Sequence, residues 1–172
     1  MKTRKYTISF KNAGKSERII KNFLLNRTDK IRFTLTPYYT EWINFKRIKY
    51  DQYKNSGFIK FLKLIEKDLI NKKTKKGKLF GFRYHYEYYA YKLSKRLKSI
   101  LNKTRLTFTI NNKIKGFYGF YDPCFYRKNK ITAKIISHEP MFLLYLTKKE
   151  KKILEEKGVI FDGNKIKIAR RK

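Results

Sequence analysis

The sequence predicts an α+β domain, with an antiparallel sheet and three or four helices packed against it. Two hydrophobic periods lead to this fold class. Some short segments alternate apolar and polar residues, whereas in others apolar residues recur every three or four positions. A chain of 172 residues, 41% of them hydrophobic, is long enough to bury one core. We therefore expect a single basic α+β domain over residues 1–172.

Alternating segments predict the strands. Residues 6–10 predict a first strand, residues 31–35 a second that stops at Pro37, and residues 131–135 another that stops near Pro140. Residues 106–110 and 114–121, joined by an Asn-Asn turn, predict two further strands, with Asp122-Pro123 ending the second.

Segments with the longer period predict the helices. A turn over residues 12–15 is followed by Ser16, which is expected to cap a short helix. Residues 58–71 predict a second helix. Residues 79–83 are expected to be extended and to lead into a helix that ends at about residue 102. The pattern of residues 38–53 fits either a helix or an irregular segment.

The C-terminal segment carries specific local signals. Thr147 and Glu150 have the spacing of a capping box, and Gly158 stands where a helix that ends at Lys157 needs a C-cap. An Asp-Gly turn then predicts a hairpin over residues 159–168. This helix-hairpin over residues 147–169, which includes LEEKGVIFDGNKIKI at residues 154–168, resembles the end of a winged helix-turn-helix. The two preceding helices of that motif are not evident, and no functional residues are carried over.

Charge is the strongest functional signal in the sequence. Lysine and arginine total 45 and aspartate and glutamate only 13, for a net charge of +32. An AT-rich genome would explain many lysines, but glutamate codons are also AT-leaning, so codon bias does not explain the few acids. A folded body with this excess repels itself unless an anionic partner neutralises it. Nucleic acid is the expected partner, because phosphate contacts give affinity that is independent of sequence and falls steeply with salt.

Residues 79–106 combine tyrosines with lysines and arginines, and such a surface can both stack on bases and pair with phosphates. The competing interpretation is that the rings belong to the core. The preceding segment KKTKKGK, residues 72–78, predicts an exposed loop that either contacts phosphate or is a solubilising linker. The predicted nucleic-acid-binding residues are Lys72, Lys73, Lys75, Lys76, Tyr84, Tyr88, Tyr91, Lys92, Lys95, Arg96, Lys103, Arg170, Arg171 and Lys172.

Motifs for nucleotide and metal chemistry are incomplete. The Gly14-Lys15-Ser16 sequence ends like a phosphate-binding P-loop, but Ser9 occupies the position of the required first glycine. His85-Tyr86-Glu87 with Pro123-Cys124 matches part of a zinc deaminase signature, yet Arg127 replaces the second cysteine. One histidine and one cysteine are too few ligands for a stable zinc site. We therefore expect neither a cofactor nor a metal.

Catalytic residues cannot be assigned from spacing. His138 and Glu139 are neighbours, and neighbours on an extended chain point to opposite faces. A two-metal nuclease needs several converging carboxylates, and the few acids are mostly isolated. An enzymatic role is thus uncertain and less favoured than a binding role.

Targeting signals are not evident in the sequence. Cys124 is the single cysteine, so no disulfide can form within the chain. The longest apolar run, Met141 to Leu146, is far shorter than a membrane span, and the N-terminus lacks the apolar core of a signal peptide. We expect a cytoplasmic protein, or one inside a virion, without a membrane partner.

The sequence therefore predicts a non-enzymatic, structural nucleic-acid-binding protein of a larger nucleoprotein assembly, such as a ribosome-like particle or a virion. Its partners would be RNA or DNA, bound with little sequence selectivity, and other proteins of the assembly. Two alternatives remain open: a nucleic-acid-processing enzyme such as a nuclease, and a protein-interaction component of a viral capsid.

Overall fold

Strands dominate the part of the chain that the structure describes. The structure is a computed structural model, and it describes residues 2–35, 38–43, 46–51, 63–79, 82–103, 121–136 and 141–162. Within these ranges, the backbone alone is described for residues 10–15, 35, 38–43, 46–51, 76–79, 82–86 and 121–122.

The described elements form one large sheet, one small sheet and helices. In chain order they are β1 (Arg4–Ser9), α1 (Phe10–Arg27), β2 (Lys30–Leu35), β3 (Tyr38–Ile43), β4 (Lys46–Asp51), a short 3-10 helix (Glu66–Asp68), β5 (Leu69–Leu79), β6 (Phe82–Lys92), α2 (Lys95–Asn102), β7 (Tyr121–Arg127), β8 (Lys130–Ile136), β9 (Met141–Leu146) and α3 (Lys148–Glu156). The large sheet has seven strands in the order β1-β9-β8-β7-β2-β6-β5, and every neighbouring pair is antiparallel. Strands β3 and β4 form a separate antiparallel pair.

Strand register places the hydrophobic core on one face of the large sheet. Ile31 of β2 lies opposite Tyr91 of β6 and Phe125 of β7, and all three side chains are buried. Because side chains alternate along a strand, every second residue of these strands joins the same core. The helices cover this face through Leu24 of α1 and Leu97 of α2, and Leu154 of α3 joins the same cluster.

The predicted α+β fold with three or four packed helices is wrong. Residues 84–92, expected to be helical, belong to the 11-residue strand β6, and the end of the expected helix over residues 58–71 belongs to the equally long strand β5. Only α1 is long among the described helices, since α2 and α3 have 8 and 9 residues. Residues 84–92 form a strand and not a helix because β6 pairs with both β2 and β5, and an aromatic-rich segment fits a paired strand better than a helix.

Turns and proline breaks predicted from the sequence also differ from the structure. Helix α1 begins at Phe10, so the turn over residues 12–15 is wrong and Ser16 is buried within the helix. Residues 38–51 contain the β3–β4 pair, which is neither the helix nor the irregular segment that their pattern fits. Strand β7 continues through Pro123 because the proline lies at a register shift against β2, where its missing N–H breaks no regular ladder.

Several predicted features are confirmed. Strands β2 and β8 occupy the alternating segments. Thr147 and Glu150 form the capping box of α3, and Gly158 after its end has a φ of 88°, which favours glycine. The hairpin expected after it is not seen over residues 159–162, and residues 163–168, like the strands predicted over residues 106–120, lie outside the described residues.

Two isoleucines of β8 allow a matched test of this core. We expect Ile135→Ala to lower the free energy of unfolding by about 2–5 kcal/mol, since Ile135 is 1% exposed and its loss leaves a cavity. Ile131, 42% exposed on the same strand, is the control, and its change to alanine should cost roughly 0.5 kcal/mol or less. Urea denaturation measures both values, and equal losses would contradict the one-sided core.

Candidate nucleic-acid interface

The face of the large sheet opposite the helices is rich in cations. Lys30 of β2 pairs with Lys92 of β6, and Arg32 of β2 pairs with Cys124 of β7, which in turn pairs with Lys134 of β8. Paired residues project to the same side of a sheet, so these side chains share one face. We call it the cationic face, and its basic residues are Lys5, Lys30, Arg32, Lys73, Lys75, Lys92 and Lys134.

Acidic side chains are absent from this face among the strand residues with described side chains. The one acid in that set is Glu87 of β6, which follows the register of the core-facing residues. Its carboxylate lies 3.1 Å from the Lys72 ammonium and accepts a hydrogen bond from the Tyr89 hydroxyl at 2.5 Å. Alternation along the strands therefore separates the charges. Glu87, with its partner Lys72, lies on the helix side, and the cations are concentrated on the opposite face.

A stack of cations and rings occupies the centre of the cationic face. The guanidinium carbon of Arg32 lies 5.0 Å from the centroid of the Tyr88 ring and 5.7 Å from that of Tyr126. The Lys30 ammonium lies 4.8 Å from the Tyr126 centroid. Cation–ring contacts hold these side chains across three adjacent strands, so the charged groups stand in a fixed pattern.

The guanidinium of Arg32 lies in partly buried surroundings. One terminal guanidinium nitrogen donates to the Cys124 thiol at 3.6 Å, and Nε is buried without a hydrogen-bond partner. Burial, followed by the neighbouring Cys124, raises the pKa of Tyr126 although the Arg32 charge acts in the opposite direction. Tyr126 thus remains a neutral phenol at neutral pH, and its ring is available as a partner for both cations.

The lysine segment predicted as a loop is instead the strand β5, so the loop interpretation is wrong. Lys73 and Lys75 are exposed and belong to the cationic face, because Lys73 pairs with Tyr88. Lys72 projects to the other side, where it pairs with Glu87. Lys76 lies in β5, but its side chain lies outside the described set.

The predicted residues of the following segment divide between strand and helix. Lys92 ends β6 on the cationic face, whereas Lys95 and Lys103 are exposed on and after α2. Arg96 has a structural role, since its guanidinium binds the Asp68 carboxylate at 2.6 Å and the Leu64 carbonyl at 2.7 Å. It therefore links α2 to the segment that precedes β5.

The predicted tyrosines also have different environments. Tyr88 is half-buried on the cationic face. Tyr91 is 2% exposed and packs edge-on against Phe33 at 5.8 Å, so no base can reach its ring. Burial, then the charge of Glu66, raises its pKa. Tyr84 pairs with Gly77 in the β5–β6 ladder, but its side chain lies outside the described set, as do residues Arg170, Arg171 and Lys172 entirely.

The centre of the face holds Lys30, Arg32 and Tyr126, which are absent from the predicted binding residues. Lys30 and Arg32 alternate with the core residues Ile31 and Phe33. The predicted strand therefore already implied that these two cations lie on the face opposite the core. Tyr126 had no such signal, because its position follows from the pairing of β7 with β2, which brings distant parts of the chain together.

The described residues contain neither a cluster of metal ligands nor a helix that could span a membrane. No group of three histidine, cysteine, aspartate or glutamate side chains converges there to hold a metal ion. The side chain of His85 and the whole of His138 lie outside the described set. Within the same described part of the chain, every helix is too short or too polar to cross a membrane.

Comparison with known proteins gives no relative. No family model, no curated protein and no solved structure matches this chain. The function is therefore inferred from the geometry and charge of the surface.

A half-buried ion pair joins the sheet to α3. The Arg127 guanidinium donates to Glu150 Oε1 at 2.8 Å, and Oε2 accepts from the Thr147 backbone N–H at 2.9 Å and its hydroxyl at 3.0 Å. Burial alone would raise the pKa of Glu150, but these hydrogen bonds and the Arg127 charge outweigh it and hold the pKa below the ordinary value of 4.5. The carboxylate therefore stabilises the fold in its ionised form.

We expect this carboxylate to make stability depend on acid pH. A lowered pKa in the folded state means that the stabilisation is complete above the ordinary pKa and is lost as pH falls through the folded value. The free energy that separates the parent protein from Glu150→Gln should therefore shrink as pH falls below about 4.5. Urea denaturation at pH 7 and pH 3 measures it, with Glu156→Gln as the control on the exposed side of α3; a constant difference would contradict the ion-pair role.

Proposed function

We propose that this protein is a non-enzymatic, structural nucleic-acid-binding protein that binds the phosphate backbone with little sequence selectivity across its cationic face. One observation carries the proposal. The strands place their cations on the face opposite the helices, where no acidic strand side chain of the described set lies. A surface of one sign attracts a polyanion and releases its counterions on binding.

The spacing of the cations suits a backbone rather than a single small anion. Arg32 on β2 and Lys134 on β8 lie in the same row of the sheet, separated by Cys124 of strand β7. Adjacent strands are about 4.8 Å apart, so cations two strands apart stand roughly 10 Å from one another. That separation fits successive phosphates along a strand of nucleic acid better than the oxygens of one phosphate.

Aromatic rings add a second mode of contact. Tyr88 is half-buried between the exposed lysines of β5 and the Arg32 guanidinium. A sheet face that combines rings with cations can stack on unpaired bases while its cations contact phosphates. This combination favours single-stranded nucleic acid over a duplex, in which the bases are already stacked on one another.

An apolar group at the β5 edge supports a place in a larger assembly. Leu64, Leu69 and Ile70 are all exposed near the start of β5, with 52%, 39% and 52% of their surfaces accessible. Three exposed large apolar side chains within seven residues favour coverage by another protein. We therefore expect the protein to bind other proteins of a nucleoprotein assembly as well as RNA or DNA.

Substitution of two lysine pairs distinguishes binding by the cationic face from binding by the net charge of the protein. Lys73→Gln with Lys75→Gln should weaken binding to a single-stranded oligonucleotide. The slope of log K against log salt should also become shallower, by about 0.7 for each phosphate that the variant no longer neutralises. Fluorescence anisotropy across a salt series measures both quantities.

The control removes the same charge from another surface. Lys95 and Lys103 are also exposed, and neither pair of lysines forms an ion pair with a described residue. Lys95→Gln with Lys103→Gln should therefore leave the affinity closer to that of the parent protein. Equal losses of affinity from the two pairs would show that net charge, and not this face, governs binding.

Tyr88 tests the stacking mode. We expect Tyr88→Leu to weaken binding of single strands by about 1 kcal/mol, since leucine fills space but offers no flat ring, and to affect duplex binding less. Parallel titrations with a single strand and its duplex measure the difference. If both affinities fall by the same factor, the ring contributes to the fold of the face and not to base contact.

A further inference from the structure

A second basic surface lies at the end of the sheet where the β7–β8 turn approaches α3. It is a cleft of about 530 Å³, a size within the usual range for small-ligand sites. Its wall comes from the end of α1, the β7–β8 turn, the end of β9 and the start of α3. The basic residues that line it are Arg27, Arg127, Lys128, Lys130 and Lys149.

Charge in this cleft is strongly unbalanced. Glu150 is the single acid among the lining residues, and it is 6% exposed. Both of its oxygens are already engaged, one by Arg127 and the other by Thr147. The other basic lining residues therefore have no acid in the cleft wall to neutralise them, and a bound anion would relieve their mutual repulsion.

The turn holds one of these cations in an unusual backbone conformation. Lys128 and Asn129 both have positive φ, at 47° and 63°, as a two-residue hairpin turn of type I′ requires. Asparagine and glycine favour this region, whereas lysine does not. The Asp29 carboxylate accepts from the Lys128 N–H at 2.8 Å, and Lys30 donates to the Asn129 side chain at 2.7 Å. These bonds fix the turn and keep Lys128 at the cleft.

The cleft also has an apolar side. Ile131 is 42% exposed, and Tyr145 and Ile153, which also line the cleft, are half-buried. An inorganic anion would use only the cations, so this lining suits a ligand with a flat or apolar part beside its charged group.

We infer that this cleft binds a nucleoside phosphate, with the phosphate against Lys128, Lys130 and Lys149 and the base or sugar against Ile131. A terminal phosphate carries more charge than a phosphodiester and therefore suits several converging cations better. The same chemistry has two sources, a free mononucleotide or the phosphorylated end of a nucleic-acid strand. The site lies at the end of the sheet near the β7–β8 turn and shares none of its basic residues with the cationic face.

The test compares ligands that differ only in a terminal phosphate. Short single strands with a 5′-phosphate, a 3′-phosphate or neither are titrated against the full chain, and adenosine 5′-monophosphate is titrated alone. We expect at least one phosphorylated form to bind roughly tenfold more tightly than the unphosphorylated strand, or the mononucleotide to bind directly. The first result identifies a strand end as the source, and the second a free nucleotide.

Two lysines at the cleft provide the decisive variant. Lys130→Gln with Lys149→Gln should abolish the preference for the terminal phosphate, or the mononucleotide binding, while binding of the unphosphorylated strand persists. Both side chains are exposed, so the fold should tolerate the change. Lys95→Gln with Lys103→Gln is the control of equal charge and should retain the preference.

Two results would overturn the inference. One is equal binding of all three strands together with no mononucleotide binding, and the other is a preference that survives in the cleft variant. Neither result would bear on the cationic face, which is tested by the unphosphorylated strand.

Discussion

Pairing of β2 on both of its edges is the constraint on which the rest of this molecule depends. Strand β2 lies between β6 and β7, so its alternation is imposed on three adjacent strands at once. Ile31 and Phe33 join the buried face, and Lys30 and Arg32 must then occupy the opposite one. A slip of one residue would bury both cations and expose both apolar side chains, so the hydrophobic core and the cationic face are determined by the same register.

The strand register determines where the many basic residues are placed on the surface. Lysines spread along a sequence give a net charge, whereas lysines at alternate positions of paired strands give a surface. Acids are few, and the structure uses several of them internally: Glu87 with Lys72, Asp68 with Arg96 and Glu150 with Arg127. Because these acids form ion pairs with nearby basic residues, they do not neutralise the cations on the opposite face or in the cleft beside α3.

Local signals in the sequence were sufficient for some elements and not for others. The capping box at Thr147 and Glu150 and the strand at residues 31–35 depend on neighbouring residues, and they could be predicted. Strand β6 could not, because its residues fit both a period of two and a helical period, and pairing with β2 decides between them. The candidate site also has a part that could be predicted and a part that could not. Local basic and aromatic stretches indicated Lys73, Lys75, Tyr88 and Lys92. The contact of Arg32 with Tyr126 could not be predicted, because it joins segments far apart in sequence.

The lysines of β5 also affect how two copies of this protein approach each other. β5 is the last strand on its side of the described sheet, and a strand in that position offers backbone groups to any similar strand. Two such edges brought together would set Lys73 and Lys75 of one molecule against the same residues of the other, and like charges at that distance repel. The distribution of charge that we propose attracts a polyanion thus also opposes self-association of the protein through this edge.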